Sequence, residues 1–156
     1  MRTDMEEKKK ILIVDDDSDI LGSLRVFLES KGYSVDTAET GTEAIEKSKA
    51  NVFNLALLDI KLPDMKGTEL LSRIHQTMPR MMKIMLTGHA SLENAVASLN
   101  LGADAYLLKP VKPNDLLRIV EEKLREQSEA ETLSEEKVAE WIATRLRKVK
   151  REDRPR

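Results

Sequence analysis

Ile11-Leu12-Ile13-Val14-Asp15-Asp16-Asp17 is the stretch that decides the fold. Four apolar residues run without a break into three acids. A strand with one face in water alternates apolar and polar residues, whereas a short, wholly apolar run suits a strand covered on both faces. Outward from it, runs of similar size recur at Tyr33 to Thr37, Leu55 to Leu58, Met82 to Leu86 and Ala105 to Leu108. Helical spacing fills the intervals. Ile20, Leu21, Leu24 and Leu28 precede Lys31-Gly32, and Ala44 and Ile45 follow Gly41. Leu70, Leu71 and Ile74 precede Pro79, and Ala95, Val96 and Leu99 precede Gly102. Leu116, Leu117, Val120 and Leu124 follow Pro113, a good first-turn residue. Five strand–helix units in succession predict a doubly wound α/β domain: a parallel sheet, right-handed crossovers and helices on both faces, ending near Gln127.

Residues 128–156 differ in composition. Ser128 to Thr132 reads as a polar break, followed by a new helix start. Thr132 and Glu135 would form a capping box, or Ser134 would cap with Leu133 and Val138 as a staple. Ala139, Ile142, Leu146 and Val149 then follow at helical spacing beside Trp141, acidic early and basic late. The expected organisation is a domain over 1–127 and a C-terminal amphipathic helical extension over 128–156.

Whole-chain numbers narrow the function classes. The chain has 156 residues, 26 basic and 28 acidic, a net charge of −2, and 40% apolar residues. That length and apolar content suit one domain with a real core and a modest extension. The balanced charge argues against a general polyanion binder. No cysteine is present, which removes disulfides, thiolate metal sites and thiol nucleophiles. The N-terminal MRTDMEEKKK is charged, and the four apolar residues after it are too few for a signal peptide or a membrane helix. The expectation is a soluble, cytoplasmic protein.

In an open parallel sheet, ligands bind beyond the carboxyl ends of the strands. Those ends carry Asp15, Asp16 and Asp17, then Asp59, then Thr87 and Gly88, then Lys109 and Pro110. Carboxylates gathered at one point repel one another, and a hard divalent cation with oxygen ligands resolves this. A carboxylate beside Mg²⁺ can serve as a nucleophile toward phosphorus, giving an aspartyl phosphate. Such a transfer needs positioning and charge neutralisation, which Lys109, the Thr87 hydroxyl and backbone N–H groups can supply, while Gly88 leaves room.

The stretches ILIVDDD (Ile11 to Asp17), LALLDIKLPDMKGTELL (Leu55 to Leu71), KIMLTG (Lys83 to Gly88) and GADAYLLKP (Gly102 to Pro110) together resemble the receiver domain of two-component response regulators over about residues 9–127. The resemblance implies a flavodoxin-like, five-stranded sheet of order 2-1-3-4-5. It implies that Asp59 accepts the phosphoryl group, and that Asp15, Asp16, Asp59 and the backbone carbonyl of Lys61 hold Mg²⁺, with Mn²⁺ as a substitute. Lys109 would pair with Asp59 and then with the phosphoryl oxygens, Thr87 and Tyr106 would be the switch pair, and Lys109–Pro110 would be a cis peptide. Pro63 and Gly67 match the loop after the acceptor strand. Ala105 and Val111 stand where many DNA-binding members carry an acid and a phenylalanine. The implied function is a phosphorylation-activated signalling switch, not a conventional enzyme, that takes its phosphoryl group from a sensor histidine kinase or a phosphotransfer protein. Slow hydrolysis of its own acyl phosphate would reset it. The extension is shorter than a DNA-reading module, so output is expected through contacts with a downstream protein, with a homodimer left open.

Two other functions compete. A phosphatase of the haloacid dehalogenase type would use Asp15 as nucleophile with Asp17, Thr87 and Lys109, but leaves Asp59 and the Pro63–Gly67 loop without a role. A constitutive interaction module would keep the fold without phosphorylation, yet no acid and no lysine of the site is missing. His75 and His89 lack ligand spacing and read as surface histidines, and Met78, Met81, Met82 and Met85 read as strand core and its approach.

Overall fold

The computed structural model describes residues 7–88 and 92–152. The elements alternate throughout: β1 (Lys10–Val14), α1 (Ser18–Ser30), β2 (Ser34–Ala38), α2 (Gly41–Ala50), β3 (Leu55–Asp59), α3 (Gly67–Thr77), β4 (Met82–Thr87), α4 (Leu92–Asn100), β5 (Ala105–Leu108) and α5 (Pro113–Glu152). The five strands form one parallel sheet in the order β2-β1-β3-β4-β5. The chain divides between Leu124 and Arg125 into two compact units. No helix among the described residues is long and apolar enough to cross a membrane.

Strand alternation sends the sheet residues to two cores. Leu12, Val14, Ala56, Leu58 and Met85 join Ala44 of α2 and Leu70, Leu71 and Ile74 of α3 on one face. Ile11, Ile13, Leu57 and Leu86 join Leu21 and Leu28 of α1 and Leu116, Val120 and Leu124 of α5 on the other. Nearly all of these residues are fully buried, which explains the unbroken apolar runs of β1 and β3. Local chemistry sets the helix ends. The Asp17 carboxylate accepts from the N–H groups of Asp19 (2.9 Å) and Ile20 (3.3 Å) and caps α1. Thr40 Oγ1 accepts from Glu43 N–H (3.1 Å) and caps α2. Gly102, at φ 107°, closes α4 in the left-handed region, and a side chain there would also strike the His75 ring.

Three sequence expectations are corrected. The fourth helix does not turn Val96 and Leu99 inward; both are exposed, and Ser98 is the buried residue of that turn. Its neighbour β5 is a four-residue edge strand with no fully buried residue, so it offers no deep apolar face to that stripe. The polar break at 128–132 does not interrupt the chain either: α5 runs through it, and neither proposed cap forms there. No glycine or proline lies between Pro113 and Glu152, and Ser or Thr within a run of Glu, Ala, Lys and Arg costs only tenths of a kcal/mol, about 0.5 each. His75 is half-buried, with Nδ1 2.8 Å from the ammonium of the fully buried Lys83. Lys83 Nζ also reaches the carbonyls of Met78 and Pro79 (both 3.4 Å), beyond the C-terminus of α3. Burial holds the Lys83 pKa below the usual lysine range, opposed by the charge of Asp104. His89 lies outside the described residues.

A second tie joins α2 to the β3–α3 loop. The Asp64 carboxylate accepts from the N–H groups of Gly41 (2.8 Å) and Thr42 (2.9 Å) and from the Thr42 hydroxyl (2.6 Å). These bonds to the ionised form pull its pKa from 3.8 down to about 2. A carboxyl whose folded pKa lies below its unfolded value adds stability that is complete above the unfolded pKa and lost as pH falls through the folded one. The Asp64 tie therefore holds above about pH 4 and fades toward pH 2. Carbon-13 titration of the Asp64 carboxyl should give a midpoint near 2; a midpoint near 4 would show that the loop is not held to α2 in solution.

Candidate functional site

Because the strands are parallel, their carboxyl ends share one edge of the sheet. The order reverses at β1, with β2 on one side and β3 on the other, so the crevice for a ligand lies beyond the ends of β1 and β3. Asp15 follows β1 directly and Asp59 is the last residue of β3. Both are buried, while Asp16 is exposed. One carboxylate oxygen from each of the three lies within 4.8 Å of the others. Asp17, the third acid of the run, is turned away to cap α1.

Lys109 enters from the end of β5. Its Nζ lies 2.6 Å from Asp15 Oδ2 and 3.4 Å from Asp59 Oδ2. Burial lowers the Lys109 pKa, but the bond to Asp15 and the charges of Asp59 and Asp15 outweigh it, and the pKa is raised. Asp59 is also raised, by burial first and by the charge of Asp15 second, against the pull of Lys109 and of the Lys61 N–H. One ammonium thus faces three carboxylates. The remaining negative charge, presented through oxygen atoms alone, is the donor chemistry that suits a hard divalent cation.

The backbone fixes these groups. Asp15 N–H donates to Ala38 O (3.1 Å), and Asp15 Oδ1 accepts from Asp17 N–H (3.0 Å). Lys109 N–H donates to Thr87 O (2.7 Å), tying the ends of β4 and β5 together, and the Lys109–Pro110 peptide is cis. Lys61 N–H donates to Asp59 Oδ1 (3.3 Å), and Lys61 pairs with Lys66 across the loop. Gly67 N–H donates to Ile60 O (2.8 Å). That loop returns so closely on β3 that a Cβ on Gly67 would meet the carbonyl oxygen of Asp59 and the backbone of Ile60. Glycine is required there by close approach alone.

The remaining residues named from sequence lie along the same edge. Thr87 is buried at the end of β4, and Gly88 follows with open space where a side chain would stand. Tyr106 is half-buried and in register with Met85, so Thr87, two residues beyond Met85, shares its face of the sheet. Asp15, Asp16, Asp59 and Lys109 come together, with the Lys61 backbone beside Asp59. Asp64 and Lys83 were not singled out by sequence reasoning. Asp64 reads as a turn acid in LPDMKG, and its partners lie more than twenty positions away. The signal for Lys83 was its charge inside the run MKIML, but its partner His75 sits on a different element.

The response regulator receiver domain model matches residues 11–121. The chain belongs to that family. A receiver domain protein (CheY-like) from Methanospirillum hungatei JF-1 is 57% identical, with TM-score 0.78 over 80% of this chain and 99% of that one. A two-component response regulator from Clostridium difficile is 36% identical, with TM-score 0.74 over 76% and 97%. Among curated relatives, the alginate biosynthesis transcriptional regulatory protein AlgB of Pseudomonas aeruginosa is 37% identical over 74% of this chain and 26% of its own length. The transcriptional regulatory protein YkoG of Bacillus subtilis is 37% identical over 77% and 53%. The chain therefore spans about a quarter to a half of these regulators. Receiver domains generally bind Mg²⁺ at an acidic cluster, and this receiver presents one at the switch point of its sheet.

Two outcomes follow from this geometry. Asp59→Asn keeps the shape but removes one of two buried like charges, so without metal it should raise the unfolding free energy by about 1 kcal/mol. A lower urea midpoint would show that the bond from Lys109 outweighs the repulsion by Asp15. Gly67→Ala pushes a methyl group into backbone that cannot rotate away, and should cost about 1–3 kcal/mol in the same experiment. An unchanged midpoint would mean the loop yields.

Proposed function

We propose that this receiver is a phosphorylation-activated switch of a two-component system, taking a phosphoryl group on Asp59 from a histidine kinase or a phosphotransfer protein. The observation that carries the reading is the Asp59 carboxylate, buried at the end of β3 with Asp15 and Asp16 on one side and Lys109 Nζ at 3.4 Å. A carboxylate oxygen of Asp59 attacks phosphorus as the bond from phosphorus to the donor imidazole nitrogen breaks. The imidazole leaves with that electron pair and takes a proton from water. Asp15, Asp16, Asp59 and the Lys61 carbonyl would hold Mg²⁺, which when bound offsets the charge of the phosphoryl oxygens. Lys109 turns from the carboxylates to those oxygens, the Thr87 hydroxyl donates to another, and Gly88 leaves room for the group. Tyr106, on the face that Thr87 occupies, follows that hydroxyl and carries the change to α4 and β5. Slow hydrolysis of the acyl phosphate resets the switch.

Two surfaces support the partners on this reading. Ile20, Leu24 and Phe27 of α1 line an apolar pocket with Pro110 and Val111, and Lys109 stands at its edge. A donor helix seated there reaches Asp59. On the output side, Val96 and Leu99 of α4 and Leu108, two residues beyond Tyr106 on β5, expose apolar surface suited to a downstream protein rather than to a nucleic acid. The switch occupies residues 1–127, with 128–156 as a helical extension, and the reading places the protein in the cytoplasm with its family.

Intact mass after incubation with Mg²⁺ and a small acyl phosphate tests this. The expected result is a single labile phosphoryl adduct, absent from Asp59→Asn and formed about 100-fold more slowly by Lys109→Met. No adduct on the folded wild type would sink the reading, and an adduct that survives Asp59→Asn would move the nucleophile to Asp15.

A further inference from the structure

We propose that the exposed face of α5 beyond Leu133 pairs antiparallel with the same face of a second copy of this chain. Val138, Ile142, Leu146 and Val149 lie on one side of the helix, and each is about half exposed, from 46% for Ile142 to 58% for Leu146. Trp141 beside them is 60% exposed, with its ring under the Arg145 guanidinium at 5.0 Å. An apolar stripe of this kind on a polar helix is the pattern that buries itself against another helix.

Charge identifies the occupant. From Glu129 to Glu140 the helix carries five glutamates and one lysine; from Trp141 to Arg151 it carries five basic residues and no acid. A parallel pair would set glutamates beside glutamates and arginines beside arginines. An antiparallel pair sets each acidic half along a basic half and also opposes the helix dipoles. A two-fold axis near Ile142 places Val138 and Ala139 over Leu146 of the second copy, and brings Glu135 and Glu136 to Lys150 of the second copy. The apolar stripe straddles that axis, so one surface completes itself, as a two-fold interface requires. The glutamates of the same helix argue against an anionic lipid surface, which the basic half alone would favour.

The full chain, which has no native cysteine, allows a direct test. Sedimentation equilibrium should show a dimer that Asp59→Asn retains and that the pair Ile142→Glu with Leu146→Glu halves in mass, with helix content by circular dichroism unchanged. Glu135→Cys and Val149→Cys variants are then oxidised separately and mixed. The antiparallel pair forms the mixed disulfide, and neither variant links to itself, since like positions stand about 21 Å apart. A monomer at every concentration overturns the proposal. Self-linked Glu135→Cys, which needs parallel helices, overturns it equally, as does a dimer indifferent to the two glutamates.

Discussion

The site depends on one ammonium set against three carboxylates. Asp15 and Asp59 are buried within reach of each other, and the repulsion between them is offset by Lys109 Nζ at 2.6 and 3.4 Å. A buried ion set is costly to assemble and costlier to leave half-made. Here Lys109 alone cannot neutralise the cluster, and burial first and the charge of Asp15 second keep the Asp59 pKa above the usual carboxylate range despite it. The crevice is therefore strained toward accepting more positive charge, and that property suits it to a cation.

The fold serves this constraint by bringing chain ends to one edge. The parallel sheet delivers the residues at the carboxyl ends of β1, β3, β4 and β5 to the same edge, although Asp15 and Lys109 are separated by 94 positions in the chain. Precision then comes from backbone. The Lys109 N–H to Thr87 O bond ties β5 to β4, and the close return at Gly67 holds the loop against the end of β3. Asp64 ties the same loop to the start of α2. The loop is thus held on one side to the end of the strand that carries Asp59 and on the other to α2.

The sheet was legible in the sequence because burial on both faces leaves no choice of residue, as the unbroken runs of β1 and β3 show. The strand-end groups were legible because acids that follow an apolar run have few structural uses, and the one helix cap among them falls to Asp17. What escaped were features fixed by distance rather than by period. Asp64 and Lys83 find their partners on other elements, and no local pattern encodes that. The α4 stripe misled because apolar spacing reports which residues share a side of a helix, not whether anything covers it. The expected break at Ser128 to Thr132 failed for a different reason. Serine and threonine are weak helix formers but not breakers, and no glycine or proline interrupts a run so rich in Glu, Ala, Lys and Arg.

On the proposed function, the same charge arithmetic explains why phosphorylation would be felt beyond the site. A phosphoryl group replaces one carboxylate charge on Asp59 with nearly two and adds three acceptor oxygens. No further cation comes with it, so groups already nearby must turn. Lys109 has two carboxylate partners, and on this reading it would gain a more highly charged one on transfer. Thr87, buried at that edge, carries a hydroxyl and lies on the face of the sheet where Tyr106 lies. A ligand shifts a conformational equilibrium only through contacts that differ between the two states. Oxygens present in one state and absent in the other are such a difference, and on this reading the half-buried Tyr106, on the face of the sheet that Thr87 occupies, is the side chain that would pass it on.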